Sequence, residues 1–476
     1  MSKNNVMQAR QILLDPVAQF SAQYPEADAD KKSRLEKLWD QVQSLREKTS
    51  QLQLQAKITS RKIGEAKKNN QLADKLIESM HVKTADLKRL EVELKNIEDQ
   101  VLVFFDSIAG ELEPKVIAKN TFSNRYASSA VNIDEITIGL LENEEDDWNE
   151  YVGKQPEASI HHLTHWRHVL QKTYGINSFY FFAHDKNLKV VGILPLVRLK
   201  SGLFGDILVS MPYFQRGGAI ADHPYIESEL MEAASREAAR LGVDYIEYRD
   251  DVPREGLPVQ LHKVNMVLLL PDSEEALWNS FTAKLRAQIK RPQQQAPQVL
   301  VGGKEYLDDF YKVYTRNMRD LGSPCHSKKL VENILNHFPD NSWIVIIRLN
   351  NKPVSAGLLL GHSGTMEIPL ASTIRDVNPY SINMLLYWEV LKLATRLGYK
   401  CFDFGRSSKC AGTYRFKQQW GAQEKQLYWY YWLDKGAELP SLSPTNPKYA
   451  LIINAWKRLP VVLAKWLGPF IVKNIP

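Results

Sequence analysis

"FYFFAHDKNLKVVGILPLVRL" occupies residues 179–199, and "SWIVIIRLNNKPVSAGLLLGH" occupies residues 342–362. Each is an apolar run, a short polar break and a second apolar run, which reads as two strands joined by a turn. Each is followed by another shared phrase. "AARLGVDYIEYR" (238–249) and "ATRLGYKCFDFG" (394–405) both read as a helix end, a glycine stop and a strand. Order and content repeat. The chain is therefore expected to hold two similar α/β lobes, about residues 131–270 and 271–435.

N-terminal to the lobes the texture is different. From Lys31 to Glu111 there is no proline, and charged residues, Gln and Leu dominate. Leu35, Leu38, Val42, Leu45, Thr49 and Leu52 follow the 3-4 spacing of a coiled-coil seam, as do Leu87, Leu90, Leu94, Ile97, Val101 and Phe104. The two runs are out of heptad phase, so one straight coiled coil would need a stutter. A reflection fits both. Leu35 pairs with Phe104, Leu38 with Val101, Val42 with Ile97 and Leu45 with Leu94, all through a point between Asn69 and Asn70. Asn tolerates the left-handed conformation of a tight helix exit. Residues 31–112 are thus expected to fold back as an antiparallel helical hairpin, after an N-terminal extension (1–30) and before a linker (113–130). Each arm would reach about 50 Å at ~1.5 Å per residue. A dimerising coiled coil or a passive spacer would share the heptads.

Composition narrows the class. The 476 residues suit two or three domains, and the formal net charge of +6 permits an anionic partner without demanding one. The start, "MSKNNVMQAR", has no apolar segment of signal-peptide type. Cys325, Cys401 and Cys410 form no C-x-x-C pair, and their odd number argues against a disulfide framework. A reducing cytoplasm is the expected compartment. No apolar run is long enough to span a bilayer.

Two resemblances sharpen these readings. "KTSQLQLQAKITSRKIGEAKKNNQLADKL" (48–76) resembles the N-terminal tRNA-binding arm of seryl-tRNA synthetases, itself an antiparallel coiled-coil hairpin. The resemblance implies that Lys57, Arg61, Lys62, Lys67 and Lys68 meet tRNA phosphates, in a salt-dependent way. In the lobes, five motifs occur in order: "IHHLTHWRHVLQKTYG", "GILPLVRLKSGLFGDILVSMPYFQRGGAIAD", "AKLRAQIKRP", "LDDFYKVYTRNMRDLGSP" and "FDFGRSSKCAGTYRFKQQWGAQ". Together they resemble FemAB-like proteins, in particular the subfamily associated with exosortase (PEP-CTERM) and exopolysaccharide loci. That implies two tandem GNAT-like lobes. It also implies transfer of an aminoacyl group from aminoacyl-tRNA to an amine of a cell-envelope precursor.

Several residues become candidates on that basis. Phe416-Lys417, in "GTYRFK", match the F-K pair that peptide-ligating Fem enzymes carry near the active site. The resemblance implies that Lys417 puts positive charge near a developing oxyanion or the tRNA terminus. Asp403, at the end of the preceding strand, is the second catalytic candidate. Arg406, Tyr414 and Arg415 surround that stretch as substrate-binding candidates. Arg286, Lys290 and Arg291, close to Lys284, lie within two helical turns and suit a diphosphate of a lipid-linked or nucleotide-linked sugar, or simply a solvated helix face. Ser210, Gly217 and Gly218 are read as a backbone turn close to substrate, where glycine permits positive φ and close approach, or as residues that simply make the turn. Trp166 joins the substrate-binding candidates. His161, His162 and His165 before it read as polar entries to its helix, and no metal site is assigned. "LYWYYWL" (427–433) reads as a strand whose aromatics pack between the lobes.

The tail, "YALIINAWKRLPVVLAKWLGPFIVKNIP" (449–476), is broken by Pro460 and Pro469, so it is not one spanning helix. Its Trp and Lys residues beside short apolar runs suit either a membrane interface or a helix packed on the second lobe. The sequence thus points to an aminoacyl-tRNA-dependent transferase with no bound cofactor. It would act on a peptidoglycan or exopolysaccharide precursor at the cytoplasmic membrane face, and serine is the first guess for its amino acid. The alternatives are an acyl-CoA-dependent N-acyltransferase on envelope sugars and a non-catalytic tRNA-binding scaffold. The loop "QRGGAIAD" lacks the R/Q-x-x-G-x-G/A pattern of CoA-binding GNAT enzymes.

Overall fold

The computed structural model describes residues 29–68, 73–112, 133–202, 205–254, 256–409, 411–434 and 453–475, with Val17 and Leu439. The chain divides into two compact units. One comprises Met1–Lys115 with Ser408–Phe416, and the other Val116–Ser407 with Lys417–Pro476.

In the first unit two long helices, α1 (Ala29–Lys68) and α2 (Asp74–Leu112), run antiparallel as the reflected pattern requires. The seam is buried at Leu35, Val42, Leu45, Thr49 and Val101. Burying Leu35 and Val42 fully contributes roughly 1.5–3 kcal/mol each. Cross-arm contacts fix the register. Arg46 Nη2 donates to Glu98 Oε1 at 2.8 Å, Lys83 Nζ donates to Thr59 Oγ1 at 3.0 Å, and Arg34 lies over the Phe104 ring at 5.2 Å. Each pair reflects through a point between residues 69 and 72. The tip itself, including Asn69 and Asn70, lies outside the described residues, as do the linker 113–130 and the side chains of Lys67 and Lys68.

The second unit is built on two sheets. Strands are β1 (Thr137–Leu140), β2 (Ser178–His184), β3 (Val190–Ser201), β4 (Gly205–Val209), β5 (Ile220–Ala221), β6 (Tyr245–Asp250), β7 (Val259–Gln260) and β8 (Lys263–Leu269). They continue as β9 (Gln298–Gly302), β10 (Ser342–Leu349), β11 (Lys352–His362), β12 (Thr365–Thr373), β13 (Cys401–Ser408), β14 (Gln423–Gln426) and β15 (Tyr428–Leu433). Both predicted hairpins form, as β2–β3 and β10–β11. The second turns on Asn350 and Asn351, with φ of 49° and 61°, the double left-handed turn that matches strand twist.

The first sheet has the order β1-β2-β3-β4-β6-β15-β7, with β5 on β3. The second has the order β14-β8-β13-β12-β11-β10-β9. Each contains a parallel pair at the same place in its order, β4 with β6 and β12 with β13. A crossover helix links each pair, α3 (Pro224–Leu241) and α4 (Ile382–Arg396), as a parallel connection requires. The glycine stops are Gly242 and Gly398, with φ of 64° and 83°.

The repeat is therefore real in three dimensions, but a boundary at residue 270 does not separate the lobes. β8 precedes that boundary and lies in the second sheet. β15 belongs to the later half and lies in the first sheet beside β6. Each half donates one strand to the other, and this covers an edge that would otherwise expose unpaired backbone groups.

Cores form where the crossover helices pack. Ile226, Leu230, Ala234 and Ala238 of α3 are fully buried with Leu194, Leu208 and Ile246. Gly192 is needed beneath them, since a Cβ there would stand 2.9 Å from Ala221 Cβ and from Ile226 Cγ2. Truncating Leu230 to Ala is expected to cost about 2–5 kcal/mol.

Candidate active site

The second sheet opens where its parallel ladder stops. Pairing between β12 and β13 runs from Thr365–Cys401 through Glu367–Asp403, after which both strands continue without pairing to each other. Glu367 and Asp403 thus stand side by side at the mouth of the opening, both buried. Gly405 follows with φ of 77°, a left-handed kink open to glycine, and its N–H donates to Asp403 Oδ1 at 2.6 Å.

Asp403 is held from both lobes. Asn265 Nδ2, on the exchanged strand β8, donates to its Oδ2 at 2.6 Å. Gln215 Nε2, from the first lobe, approaches the same oxygen at 3.4 Å. Burial first, and the Glu367 charge second, push the Asp403 carboxyl above its ordinary range, while Arg216 opposes them. Glu367 meets the first lobe as well. His161 Nε2 lies 2.8 Å from Glu367 Oε1, without the alignment of a hydrogen bond. Arg216 donates to Asp251 Oδ2 at 2.8 Å, and Lys425 approaches the same oxygen at 2.7 Å.

Lys417 is buried near this cluster. Its Nζ donates to the carbonyls of Gly405 and Arg406, both at 2.9 Å. Among the described residues no carboxylate accepts from it. Burial lowers its pKa to about 8, with Asp403 holding it up and Arg406 pressing it down. An ammonium has three N–H groups. Two are engaged by these carbonyls. A group poised near neutrality can also take part in proton transfer.

A second polar group converges on Trp429. Arg249 and Arg406 place their guanidinium carbons 4.6 and 5.3 Å from its ring centroid. Arg249 is anchored by Glu247 Oε1 at 2.7 Å and the Phe214 carbonyl at 2.6 Å. Arg406 has no such anchor among the described residues. Its Nη1 and the Trp429 Nε1 are buried donors without a partner among the described residues. Burial and the Arg249 charge lower the Arg406 pKa to about 10.

The remaining candidates fall into place around this. Ser210 is buried and structural, since its Oγ accepts from the Arg249 N–H at 2.6 Å and ties the end of β4 to β6. The positive φ expected of Gly217 and Gly218 falls instead on Met211 (57°) and Tyr213 (75°). The two glycines are needed for packing. A Cβ on Gly217 would stand 2.6 Å from Met211 Cβ, and one on Gly218 would stand 2.7 Å from Asp250 Oδ2. They line a cavity of about 10 Å³ with His162, Arg216 and Asp251, room for one water.

Trp166 is fully buried, with Nε1 donating to the Ile160 carbonyl at 2.9 Å and Phe214 packed at 4.6 Å. It is a core residue and offers no surface to a substrate. Lys284, Lys290 and Arg291 are exposed on or beside the helix Ala283–Lys290. Arg286 donates to the Phe281 carbonyl at 2.6 Å, and Lys290 lies over Trp278. No described contact joins this group to Asp403. Tyr414 is buried, Arg415 and Phe416 are half-buried, and all three lie on the short helix Gly412–Gln418, within the residues grouped with the arm. On the arm, Lys57, Arg61 and Lys62 are exposed, and Arg61 Nε donates to Glu65 at 3.1 Å. The sequence reading missed Asn265, Gln215, Arg216 and Glu367. For the neighbouring Glu247, Arg249 and Asp250 a signal was available, because "YIEYRD" (245–250) puts charges inside a strand that is buried throughout.

The sequence model of the acetyltransferase (GNAT) domain matches residues 279–418. Residues 279–418 are therefore similar to an acetyltransferase (GNAT) domain. The seryl-tRNA synthetase N-terminal domain matches residues 19–109, the region of the arm. No curated protein matches the sequence. Among solved structures, FemX is similar at 13% identity and a TM-score of 0.49, over 61% of this chain and 97% of that one. The C-terminal domain (DUF2156) of a putative lysylphosphatidylglycerol synthetase from Agrobacterium fabrum is similar at 11% identity and a TM-score of 0.43, over 62% and 93%. A tandem GNAT protein from the clavulanic acid biosynthesis pathway is similar at 9% identity and a TM-score of 0.40, over 64% and 100%.

Proposed function

We propose that the protein transfers an aminoacyl group from aminoacyl-tRNA to an amine of a cell-envelope precursor, lipid-linked or nucleotide-linked, at the cytoplasmic face of the membrane. The observation that carries the reading is the pairing, in one chain, of a seryl-tRNA synthetase type arm with a GNAT acyltransferase domain. An acyltransferase needs an activated acyl donor, and an arm of that type supplies a reason for the donor to be a charged tRNA. The arm's origin favours serine as the amino acid.

The chemistry asks little of the protein beyond placement and charge. The acceptor amine attacks the ester carbonyl, the C–O bond to the ribose breaks, and the amine's proton ends on the ribose oxygen. Lys417, fixed by two backbone carbonyls and with its charge sustained by Asp403, is suited to stabilise the oxyanion formed between these events. Arg406 and Trp429, with their unpartnered donors, suit an anionic group of either substrate.

The name of the matched domain keeps an acyl-CoA donor as a second reading. Two features weigh against it. The Gly217 N–H is already committed to the Arg249 carbonyl at 3.0 Å, and the loop from β12 to α4, residues 374–381, holds no glycine. The test is transfer from a pool of charged tRNAs to amine-bearing envelope precursors, with bound RNA sequenced. Transfer from one aminoacyl-tRNA supports the reading and names the amino acid. Consumption of acyl-CoA with no need for tRNA overturns it.

A further inference from the structure

The C-terminal helix α5 (Val461–Val472) is docked the wrong way round for an ordinary amphipathic helix. Such a helix turns its large apolar side chains inward. Here the inward stripe is Ala464, Gly468 and Val472, buried at 2%, in packing contact, and at 9%. The outward stripe is Val462, Leu463, Trp466 and Phe470, exposed by 76, 46, 65 and 60%.

Four ties hold this orientation. Arg319 Nη1 donates to the Leu459 carbonyl at 2.9 Å, ahead of the helix. The Cys325 thiol reaches the Ala464 carbonyl at 3.8 Å. A Cβ at Gly468 would stand 2.8 Å from Cys325 N, so the helix lies as close as glycine allows. Tyr213 OH donates to the Lys473 carbonyl at 2.7 Å, past its end. The outward face is thus presented by a fixed helix, with the Trp466 and Phe470 rings 6.0 Å apart on it.

Charge selects the occupant. Between Tyr449 and Pro476 there are four basic residues, Lys457, Arg458, Lys465 and Lys473, and no Asp or Glu. A second copy of the face would bring like charges together. An anionic bilayer surface satisfies both the aromatic stripe and its basic surround. The helix has 12 residues, and no described helix is long and apolar enough to cross a membrane. We propose that α5 is a peripheral docking surface for an anionic lipid bilayer, lying in the headgroup layer with Trp466 and Phe470 inserted. This gives a physical basis to the membrane-face location proposed above and uses none of the transfer chemistry.

The test is sedimentation of the full chain with vesicles of phosphatidylglycerol and phosphatidylcholine, against vesicles of phosphatidylcholine alone. The expected result is binding to the first that weakens with salt, and that falls on the order of tenfold in the Trp466→Ala/Phe470→Ala variant. Because both side chains are exposed, that variant should keep its thermal melt. The variant also controls for the basic arm, whose attraction to anionic vesicles it leaves intact. Absence of binding, or binding equal in the variant, overturns the proposal. So does a concentration-dependent dimer that the variant abolishes, which would assign the face to a second copy. Transfer activity on a water-soluble acceptor is read separately, so either reading can fail without the other.

Discussion

Glu367 and Asp403 are register partners on the parallel strands β12 and β13, two buried carboxylates placed side by side by a ladder that ends at their pair. The arrangement raises the Asp403 pKa above its ordinary 3.8 through burial and then through Glu367. A carboxyl raised on folding binds its proton more tightly in the folded state, so its contribution to stability is present below pH 3.8 and is lost as pH rises through the folded value. Asp403→Asn removes this loss. The stability of the variant relative to the parent is expected to rise with pH from about 4 upward, measured by urea melts at a series of pH values. A difference flat in pH would show that Asp403 is not strained by its neighbour.

Lys417 should set the alkaline side of the rate. Its pKa of about 8, lowered chiefly by burial, means that its charge is lost just above neutrality. If the charged form stabilises the oxyanion, kcat falls above pH 8. Asp403 holds that pKa up, so Asp403→Asn should move the alkaline limb to lower pH. Lys417→Ala is expected to lower kcat roughly a hundredfold with a smaller change in KM. An alkaline limb that stays in place in the Asp403 variant would separate the two residues functionally.

His162 supplies an acid-side prediction. Its Nδ1 accepts from the Ser159 N–H at 3.1 Å, so its Nε2 carries the proton and donates to the Gly218 carbonyl at 3.1 Å. The ring is neutral and buried, and its pKa is lowered to about 3 by burial and then by Arg216. A histidine depressed from 6.5 contributes stability that is present above pH 6.5 and lost as pH falls toward 3. Between pH 6 and 4.5 this amounts to about 2 kcal/mol. His162→Gln should flatten stability over that window by a comparable amount, read from Tm against pH.

How much of this was legible in the sequence follows from the range of the interactions involved. The arm was readable because its seam is periodic, and Leu35 opposite Phe104 is fixed by counting. The hairpins and glycine stops were readable because turn chemistry is local. The exchange of β8 and β15 was not, since both strands read correctly as strands and nothing within seven residues states which sheet they join. The same holds for the site. Lys417 and Asp403 were singled out by a motif and by a strand end. Asn265, Gln215 and Glu367 reach Asp403 from distant segments, and only folding brings them together. The packing around Trp166 and the Gly217–Gly218 turn is long-range in the same way, since Phe214 meets the indole and Asp250 meets Gly218.

The arm makes the most direct prediction about the donor. Lys57, Arg61 and Lys62 are exposed on one stretch of α1. If they meet phosphates of tRNA, each contact releases counterions, and log K falls with log salt by about 0.9 per contact on a duplex. Replacing all three by Ala should reduce the slope by up to about 3 and weaken every tRNA alike, because phosphates carry no sequence. Filter binding at several salt concentrations with mixed tRNA measures the slope, and the variants should melt like the parent because the side chains bury nothing. Arg61 is the weakest of the three by this argument, since its Nε already donates to Glu65. A single Arg61→Ala variant should therefore lose less than Lys57→Ala or Lys62→Ala. An unchanged slope in the triple variant would leave the arm as a coiled coil without a phosphate-binding role, and the aminoacyl-tRNA donor would lose its main support.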